Sequence, residues 1–228
     1  MEKYLARVRE IKYLTLTTVE FVVDLVAPDT INFIAGQKMN FLFGQSEISF
    51  FILSVPDHNQ SLSFCIDFSD PKVAGYLKSL RQGADIYLNG PVGEFTFKNF
   101  QKNSLFIATG TGVSAFASII PDALSRGFKE QSQLIFGLKS EEDVFYFDRF
   151  THLTSLYPNF KFTPILSQPQ SHWPGEIGRP FTYVSILYEK FIGYDIYLSG
   201  ENKIMNELKG FFAAKNHNLG NVYMELID

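Results

Sequence analysis

The stretch that decides the fold reads Leu105-Phe-Ile-Ala-Thr-Gly-Thr-Gly-Val-Ser-Ala-Phe-Ala-Ser118. An apolar run ends in Gly110-Thr111-Gly112, and a helical pattern begins directly after the second glycine. This order is typical of a parallel strand that turns into a helix whose N-terminal N–H groups can hold a phosphate. Glycine lets the backbone approach a ligand closely. A nucleotide-binding half that begins near residue 100 is one interpretation, and an ordinary strand-to-helix turn is the other.

The rest of the second half alternates between strand and helix patterns. Strands are predicted over Ser104–Thr109, Gln133–Leu138, Lys161–Leu166 and Asp195–Ser199. Helices are predicted over Ser114–Arg126, Tyr146–Tyr157, Phe181–Lys190 and Asn202–Lys215. Such alternation is typical of a parallel sheet with helices on both faces. We therefore expect an α/β domain over residues 101–228, because polar residues interrupt the apolar pattern at residues 99–103.

The first half reads as short strands separated by turns. The predicted strands are rich in β-branched and aromatic residues and cover Tyr4–Tyr13, Thr15–Val26, Lys38–Phe43, Ile48–Val55, Ser61–Phe68 and Asp85–Leu88. One helix is predicted here, over Val73–Leu80. Short strands with turn signals between them favour an antiparallel barrel. The predicted fold class is an all-β antiparallel barrel domain over residues 1–100, followed by an α/β parallel-sheet domain.

Composition narrows the functional classes. The 228 residues are 46% hydrophobic and include 24 Phe, enough for substantial cores, and the formal net charge is −4. This charge argues against nucleic acid or an anionic membrane as the main partner. We find no apolar run long enough to span a membrane and no signal-peptide pattern after Met1, so we expect a cytoplasmic protein. Cys65 is the only cysteine, and the four histidines, His172 among them, lack metal-ligand spacing, so we expect no disulfide, iron–sulfur cluster or metal site.

Six motifs, in order along the chain, resemble those of the ferredoxin–NADP reductase superfamily. They are Ala35–Gln37, Gly90–Phe95, Thr109–Gly112, Phe136–Asp143, Trp173–Gly178 and Tyr197–Glu201. The resemblance covers nearly the whole chain, and its closest-looking branch is the small NAD(P)H:flavin reductases. It implies a barrel that binds FAD or FMN and an α/β domain that binds NAD(P)H. Members of this superfamily pass a hydride from NAD(P)H to flavin and hand electrons onward, while the protein supplies stacking order and electrostatics.

The resemblance places the flavin-binding signature, Arg-x-Tyr-(Ser/Thr), on Ile48–Phe51. Phe50 is then expected to stack on the flavin ring. Ile48 stands at the phosphate-binding Arg position and Phe51 at the hydroxyl position, so a charge-assisted bond and a polar group are lost. A second phosphate-binding element falls on Pro71–Ala74, where the proline brings no backbone N–H. Either flavin is a loosely held substrate of this protein, or its flavin site is vestigial.

The resemblance also implies roles on the nucleotide side. The residues expected to bind the dinucleotide are Gly110, Thr111, Gly112, Ser114 and Gly200. Ser199, where the family usually has Cys, and Glu225 are expected beside the nicotinamide as catalytic residues, although an exposed glutamate without a role is the alternative for Glu225. The turn after the second strand carries Lys139 alone, followed by Glu141, Glu142 and Asp143, which favours NADH over NADPH.

Three functions stay open at this point. The first is an NAD(P)H-dependent flavin or electron-transfer oxidoreductase. The second is a non-catalytic binding or regulatory protein on a reductase scaffold, which the apolar replacements at the flavin signature favour. The third is a subunit that takes electrons from a separate ferredoxin-like partner, which agrees with the lack of a cysteine cluster.

Overall fold

The chain folds into two compact units. The computed structural model describes residues 2–44, 46–170 and 173–227, so Met1 and His172 of the sequence analysis lie outside the described residues. The first unit holds the chain up to Phe97 together with Ser114–Asp122, and the second holds Lys98–Val113 and the chain from Ala123 onward. The expected division of roles between residues 1–100 and 101–228 stays a prediction.

The first unit is built on an antiparallel sheet that closes on itself. Its strands are β1 (Glu2–Tyr13), β2 (Thr18–Ala27), β3 (Lys38–Phe43), β4 (Ser46–Phe51), β5 (Ser61–Asp67) and β6 (Asp85–Val92). The strand order is β4-β3-β6-β1-β2-β5. Directly after β4, the Leu53 N–H donates to the Ser63 carbonyl of β5 at 2.7 Å, and the Ser63 N–H donates to the Ser54 hydroxyl at 3.3 Å. These bonds join the chain directly after β4 to β5, at the opposite end of the strand order, so the predicted antiparallel barrel is confirmed.

Alternating apolar side chains fill the interior of this barrel. Phe41 of β3 is fully buried at its centre, with the rings of Phe64 and Phe21 at centroid distances of 4.8 and 5.9 Å. Helix α1 (Pro71–Ser79) connects β5 to β6 and packs Val73 and Leu77 against the same core. The predicted helix began two residues later, because proline at the first helical position was not used as a start signal.

Residues 114–122 of helix α2 (Val113–Ser125) also belong to the first unit. The Ser118 hydroxyl donates to the Ser54 carbonyl at 2.7 Å, and both residues are buried. The Phe116 ring lies 5.9 Å from that of Phe95, which follows the last barrel strand. These contacts hold one side of α2 against the chain that surrounds the barrel.

The second unit contains a parallel sheet, as predicted. Its strands are β7 (Ser104–Thr109), β8 (Ser132–Leu138), β9 (Phe160–Leu166), β10 (Glu176–Ile177), β11 (Asp195–Glu201) and β12 (Val222–Ile227), in the order β10-β9-β8-β7-β11-β12. The helices that follow α2 are α3 (Phe147–Leu156), α4 (Pro180–Leu187) and α5 (Asn202–Ala214). All six residues of β7 are buried at the centre of the sheet. Such burial explains its continuous apolar run.

Several element boundaries differ from the predictions. Strand β4 ends at Phe51 rather than at Val55, since the chain turns there toward β5. Helix α4 ends at Leu187 and continues as a 3-10 turn over Tyr188–Phe191, where one helix was expected to reach Lys190. Strands β10 and β12 were not predicted, although alternate residues of β12, Val222 among them, pack on the core.

The described ranges lack two kinds of feature. No helix in these ranges is both long enough and apolar enough to cross a membrane. The same ranges contain no cluster of three or more His, Cys, Asp or Glu side chains placed to hold a metal ion.

Candidate functional site

The carboxyl end of β7 carries the glycine turn that the sequence singled out. Gly110–Gly112 forms a single 3-10 turn between β7 and α2, and the Val113 N–H donates to the carbonyls of Gly110 and Thr111. Gly110 is exposed, has a φ of +52°, and has open space where a side chain would start. This left-handed conformation favours glycine. The turn therefore presents bare backbone to solvent at the end of the central strand.

A second glycine, on β11, packs against the same turn. A Cβ built on Gly112 would lie 2.7 Å from the Gly200 nitrogen and would overlap the Ser199 carbonyl. Gly200 has a φ of +149°, and a Cβ there would lie 2.9 Å from the Thr109 nitrogen. The Thr109 hydroxyl oxygen also accepts a hydrogen bond from the Glu201 N–H at 3.1 Å. The ends of β7 and β11 are thus locked together through positions where a side chain does not fit.

Ser199 and Glu225, the two residues predicted to be catalytic, are neighbours in the sheet. The parallel register pairs Ser199 of β11 with Glu225 of β12 on one side and with Ala108 of β7 on the other. Glu225 is half-buried, whereas Ser199 has no exposed surface. The Ser199 Oγ has no hydrogen-bond partner among the described residues. The register brings the predicted pair together, but the serine hydroxyl is covered in this conformation.

An aromatic stack lies two residues before Ser199 along the parallel strands. The Tyr197 ring lies between Phe106 of β7 and Tyr223 of β12, with centroid distances of 5.0 and 4.9 Å. The Tyr197 hydroxyl oxygen accepts a hydrogen bond from the Lys98 N–H at 3.0 Å. Burial raises the pKa of this hydroxyl well above its ordinary value. This stack was not predicted from the sequence, because β12 was not predicted.

Acidic side chains order the turn after β8. The Asp143 carboxylate accepts hydrogen bonds from the Ser140 N–H at 2.9 Å and from the Ser140 hydroxyl at 2.8 Å. The Glu141 carboxylate accepts from the Gln170 N–H at 3.1 and 3.0 Å. Glu142 is more exposed than either. These hydrogen bonds hold the turn in place, and its carboxylates make it negatively charged. Because β7 and β8 are parallel neighbours, this turn and the glycine turn lie at the same carboxyl end of the sheet.

In the barrel unit, the predicted flavin residues lie on β4. Phe50 is half-buried and packs edge-on against the core residue Phe41, with centroids 5.1 Å apart. Phe51 is buried, and the Lys38 ammonium lies 4.5 Å above the centre of its ring. Ser114 is buried in the first turn of α2. The structure leaves Phe50 as an aromatic side chain anchored from behind by the barrel core.

The start of helix α1 is capped by its own chain. The Asp70 Oδ1 accepts hydrogen bonds from the Lys72 N–H at 2.7 Å and from the Val73 N–H at 3.3 Å. Asp70 is the N-cap, a position that favours aspartate because its carboxylate satisfies N–H groups that the helix leaves open. The element expected to bind a flavin phosphate thus already has a carboxylate on its donors.

Comparison with known proteins agrees with this arrangement. Residues 106–209 match the oxidoreductase NAD-binding domain family. The phenol hydroxylase P5 protein of Acinetobacter pittii is 31% identical over 88% of this chain and 58% of its own length. Ferredoxin–NADP reductase B of Sorangium cellulosum is 29% identical over 71% of this chain and 68% of its own length. This chain resembles the ferredoxin–NADP reductase superfamily in sequence.

A solved structure supports the same assignment at the level of fold. The cytochrome P450 reductase of Amycolatopsis superposes on this chain with a TM-score of 0.89 and 20% identity, covering 99% of this chain and 69% of the other. The barrel with a parallel-sheet unit is therefore the superfamily fold. The chain spans less than two thirds of the phenol hydroxylase P5 protein.

Proposed function

We propose that this chain is an oxidoreductase that takes electrons from NAD(P)H and passes them to a flavin. In such a reaction the nicotinamide gives up a hydride, which carries two electrons, and the flavin ring accepts it together with a proton from solvent. The NAD-binding family match over residues 106–209 supports the nucleotide half of this proposal. The parallel-sheet unit supplies the nucleotide site, and the barrel unit supplies the flavin site.

The observation that carries the proposal is the close packing of Gly112 against Gly200. A Cβ at either position would collide with backbone of the adjacent strand end or turn. This packing fixes the glycine turn at the carboxyl end of the parallel strands, with Gly110 exposed and open space where its side chain would start. Such a turn is suited to a dinucleotide, because a pyrophosphate can approach its N–H groups without meeting a side chain at Gly110. We assign the pyrophosphate to Gly110, Thr111 and Gly112, and the nicotinamide half to Gly200. Ser114 stays a predicted binding residue.

The burial of Ser199 changes the role that we propose for it. A hydroxyl without exposed surface does not touch a ligand in this conformation. The Ser199 carbonyl instead occupies the space beside Gly112, which fixes the position of the glycine turn. We therefore propose that Ser199 is a positioning residue and that Glu225, half-buried on the neighbouring strand, is the catalytic candidate of the pair.

The preferred nucleotide in this proposal is NADH. The turn after β8 is the usual place where a βαβ fold meets the adenosine ribose. Here it carries three carboxylates, of which Glu142 is exposed. A 2′-phosphate would be repelled by these charges, whereas a free ribose hydroxyl can donate to a carboxylate.

Steady-state assays with purified protein test the proposed function. NADH or NADPH is mixed with the protein and with FAD, FMN or riboflavin, and the loss of nicotinamide absorbance is followed. We expect turnover with at least one flavin and a higher kcat/KM with NADH than with NADPH. Absence of turnover with every combination would refute the proposal.

A second candidate is a non-catalytic binding protein on the same scaffold. The observation that favours it is the Asp70 cap, which fills the helix start where the resemblance expects phosphate donors. This candidate predicts nucleotide binding without nucleotide oxidation, including when an iron–sulfur protein is offered as electron partner. Calorimetric titration with NAD⁺ alongside the turnover assay separates the two candidates.

A further inference from the structure

The backbone around the start of α1 has almost no donor left for an anion. Pro71 has no N–H, and the N–H groups of Lys72 and Val73 are bound by Asp70. The neighbouring N–H groups are also engaged: that of Ser69 by the Asp67 carboxylate at 2.7 Å, that of Phe68 by the Thr17 carbonyl at 2.8 Å, and that of Ala74 by the Asp70 carbonyl at 2.9 Å. A phosphate could bind these N–H groups only by displacing the Asp70 carboxylate, which belongs to the same chain and already accepts their hydrogen bonds.

The charges at this position are also unfavourable to a phosphate. Asp67 and Asp70 are both exposed, and their carboxylates lie on the backbone at the start of the helix. Lys72 is exposed and is the one cation within residues 67–74. On β4, Ile48 stands where the superfamily resemblance expects an arginine. The local balance is therefore negative, and like charges at short range repel.

The aromatic part of the predicted flavin site differs from its phosphate part. Phe50 keeps an aromatic ring on β4, and its edge-on contact with Phe41 holds that ring in place. Phe43 and Tyr76 of α1 add a stacked pair, with centroids 4.3 Å apart and ring planes within 10° of parallel. Aromatic surfaces of this kind attract a flat conjugated ring whether or not it carries a phosphate.

We propose that the barrel unit recognises flavin by its ring system alone and gains nothing from the phosphate. This inference rests on the proposed function. Riboflavin, FMN and FAD then bind with similar affinity, and flavin behaves as an exchangeable substrate instead of a resident cofactor. The residue responsible is Asp70, because its carboxylate both occupies the helix donors and repels a second anion.

Equilibrium titration of the wild-type chain tests the inference directly. Quenching of flavin fluorescence gives the Kd for riboflavin, FMN and FAD under one set of conditions. We expect the three Kd values to agree within about threefold, since one charge-assisted phosphate bond alone would separate FMN from riboflavin by about tenfold or more. FMN or FAD binding at least tenfold more tightly than riboflavin overturns the inference, as does a lack of binding by all three.

Two variants at the same position separate occupancy from charge. Asp70→Gly keeps an acceptable N-cap and frees the helix N–H groups. We expect it to shift the riboflavin-to-FMN ratio of Kd values by about tenfold in favour of FMN. Asp70→Asn removes the charge but keeps a side-chain oxygen on the donors, so we expect a smaller shift in the same direction. Circular dichroism confirms that each variant is folded, and unchanged ratios in both folded variants overturn the inference.

The outcomes distinguish this inference from the proposed function. If NADH is oxidised with every flavin but FMN and FAD are strongly preferred to riboflavin in wild type, the inference fails and the proposed function stands. If no flavin supports NADH oxidation, the proposed function fails, whatever the relative Kd values are.

Discussion

Gly112 lies so close to Gly200 that a Cβ on the first would come within 2.7 Å of the backbone nitrogen of the second. Gly112 is the last residue of the glycine turn and Gly200 is the penultimate residue of β11. The two are 88 residues apart in sequence, so their contact is a property of the fold and not of a local motif. The position of the glycine turn depends on this contact, and the proposed nucleotide site depends on the position of the turn.

Gly112→Ala should displace the glycine turn and weaken NADH oxidation. The added methyl group overlaps the Ser199 carbonyl, and a misplacement of about 1 Å at a binding loop can lower kcat/KM by about 100-fold. Steady-state kinetics with NADH measure the effect, and circular dichroism confirms the fold. Gly210→Ala is the matched control, since a Cβ there meets no atom within 4 Å and α5 gains helix propensity. Equal losses in the two variants would contradict the assignment.

Glu142→Gln should make the protein less selective against NADPH. Removing one exposed charge near the proposed ribose site should raise the ratio of kcat/KM values, NADPH over NADH, by about threefold. The gain should shrink at high salt, because salt screens exposed charges. Glu130→Gln is the control, because Glu130 is exposed and precedes β8 at the opposite end of the strand. A similar gain in the control would show that net charge, and not this turn, sets the preference.

Ser199→Ala should stabilise the protein. The buried Ser199 hydroxyl has no partner in the described residues, so its removal relieves a desolvation cost of about 1 kcal/mol. Ser132→Ala is the matched comparison on β8, because the buried Ser132 hydroxyl donates to the Asn159 carbonyl at 3.3 Å. We expect Tm to rise in the first variant and to fall in the second. A fall in both would mean that Ser199 has a hydrogen-bond partner in solution.

Tyr197 should contribute to alkaline unfolding. Burial raises the pKa of Tyr197 in the folded state above the ordinary tyrosine value near 10. The folded chain then holds this proton more tightly than the unfolded chain, so the stabilisation is complete below pH 10 and is lost progressively above it. Tyr197→Phe should therefore reduce the fall in Tm between about pH 8 and pH 11. Tyr13→Phe, at an exposed position on β1, should leave this fall unchanged.

Much of the fold could be predicted because strand and helix periodicities are local. The apolar run of β7 and the glycines after it predicted a central parallel strand, and the structure buries all six of its residues. Strand β12 was not predicted, although residues 216–221 before it are rich in asparagine and glycine and form a turn in the structure. The Ser199–Glu225 pairing depends on β12, so the geometry of the predicted catalytic pair could not be derived from sequence patterns.

The Asp70 cap shows a different limit of sequence reasoning. The sequence shows that Pro71 brings no backbone N–H, and it also places Asp70 directly before that proline. An aspartate before Pro-x-x at a helix start is a recognisable capping signal, and that signal was available in the sequence. Which backbone donors remain for a ligand, however, depends on side-chain conformation, and Asp67 at the end of β5 takes one of them as well.

The two hydrogen bonds of Ser63 have a consequence for aggregation through the edges of the sheet. An open sheet offers its outermost strands to any other extended chain, and such edges are common starting points for aggregation. In the barrel unit the chain after β4 covers the flank of β5, through the bonds that join Leu53 and Ser54 to Ser63. The exposed edge of β5 is thereby hydrogen-bonded within the unit at Ser63, which protects the unit from pairing with strands of other chains at this position.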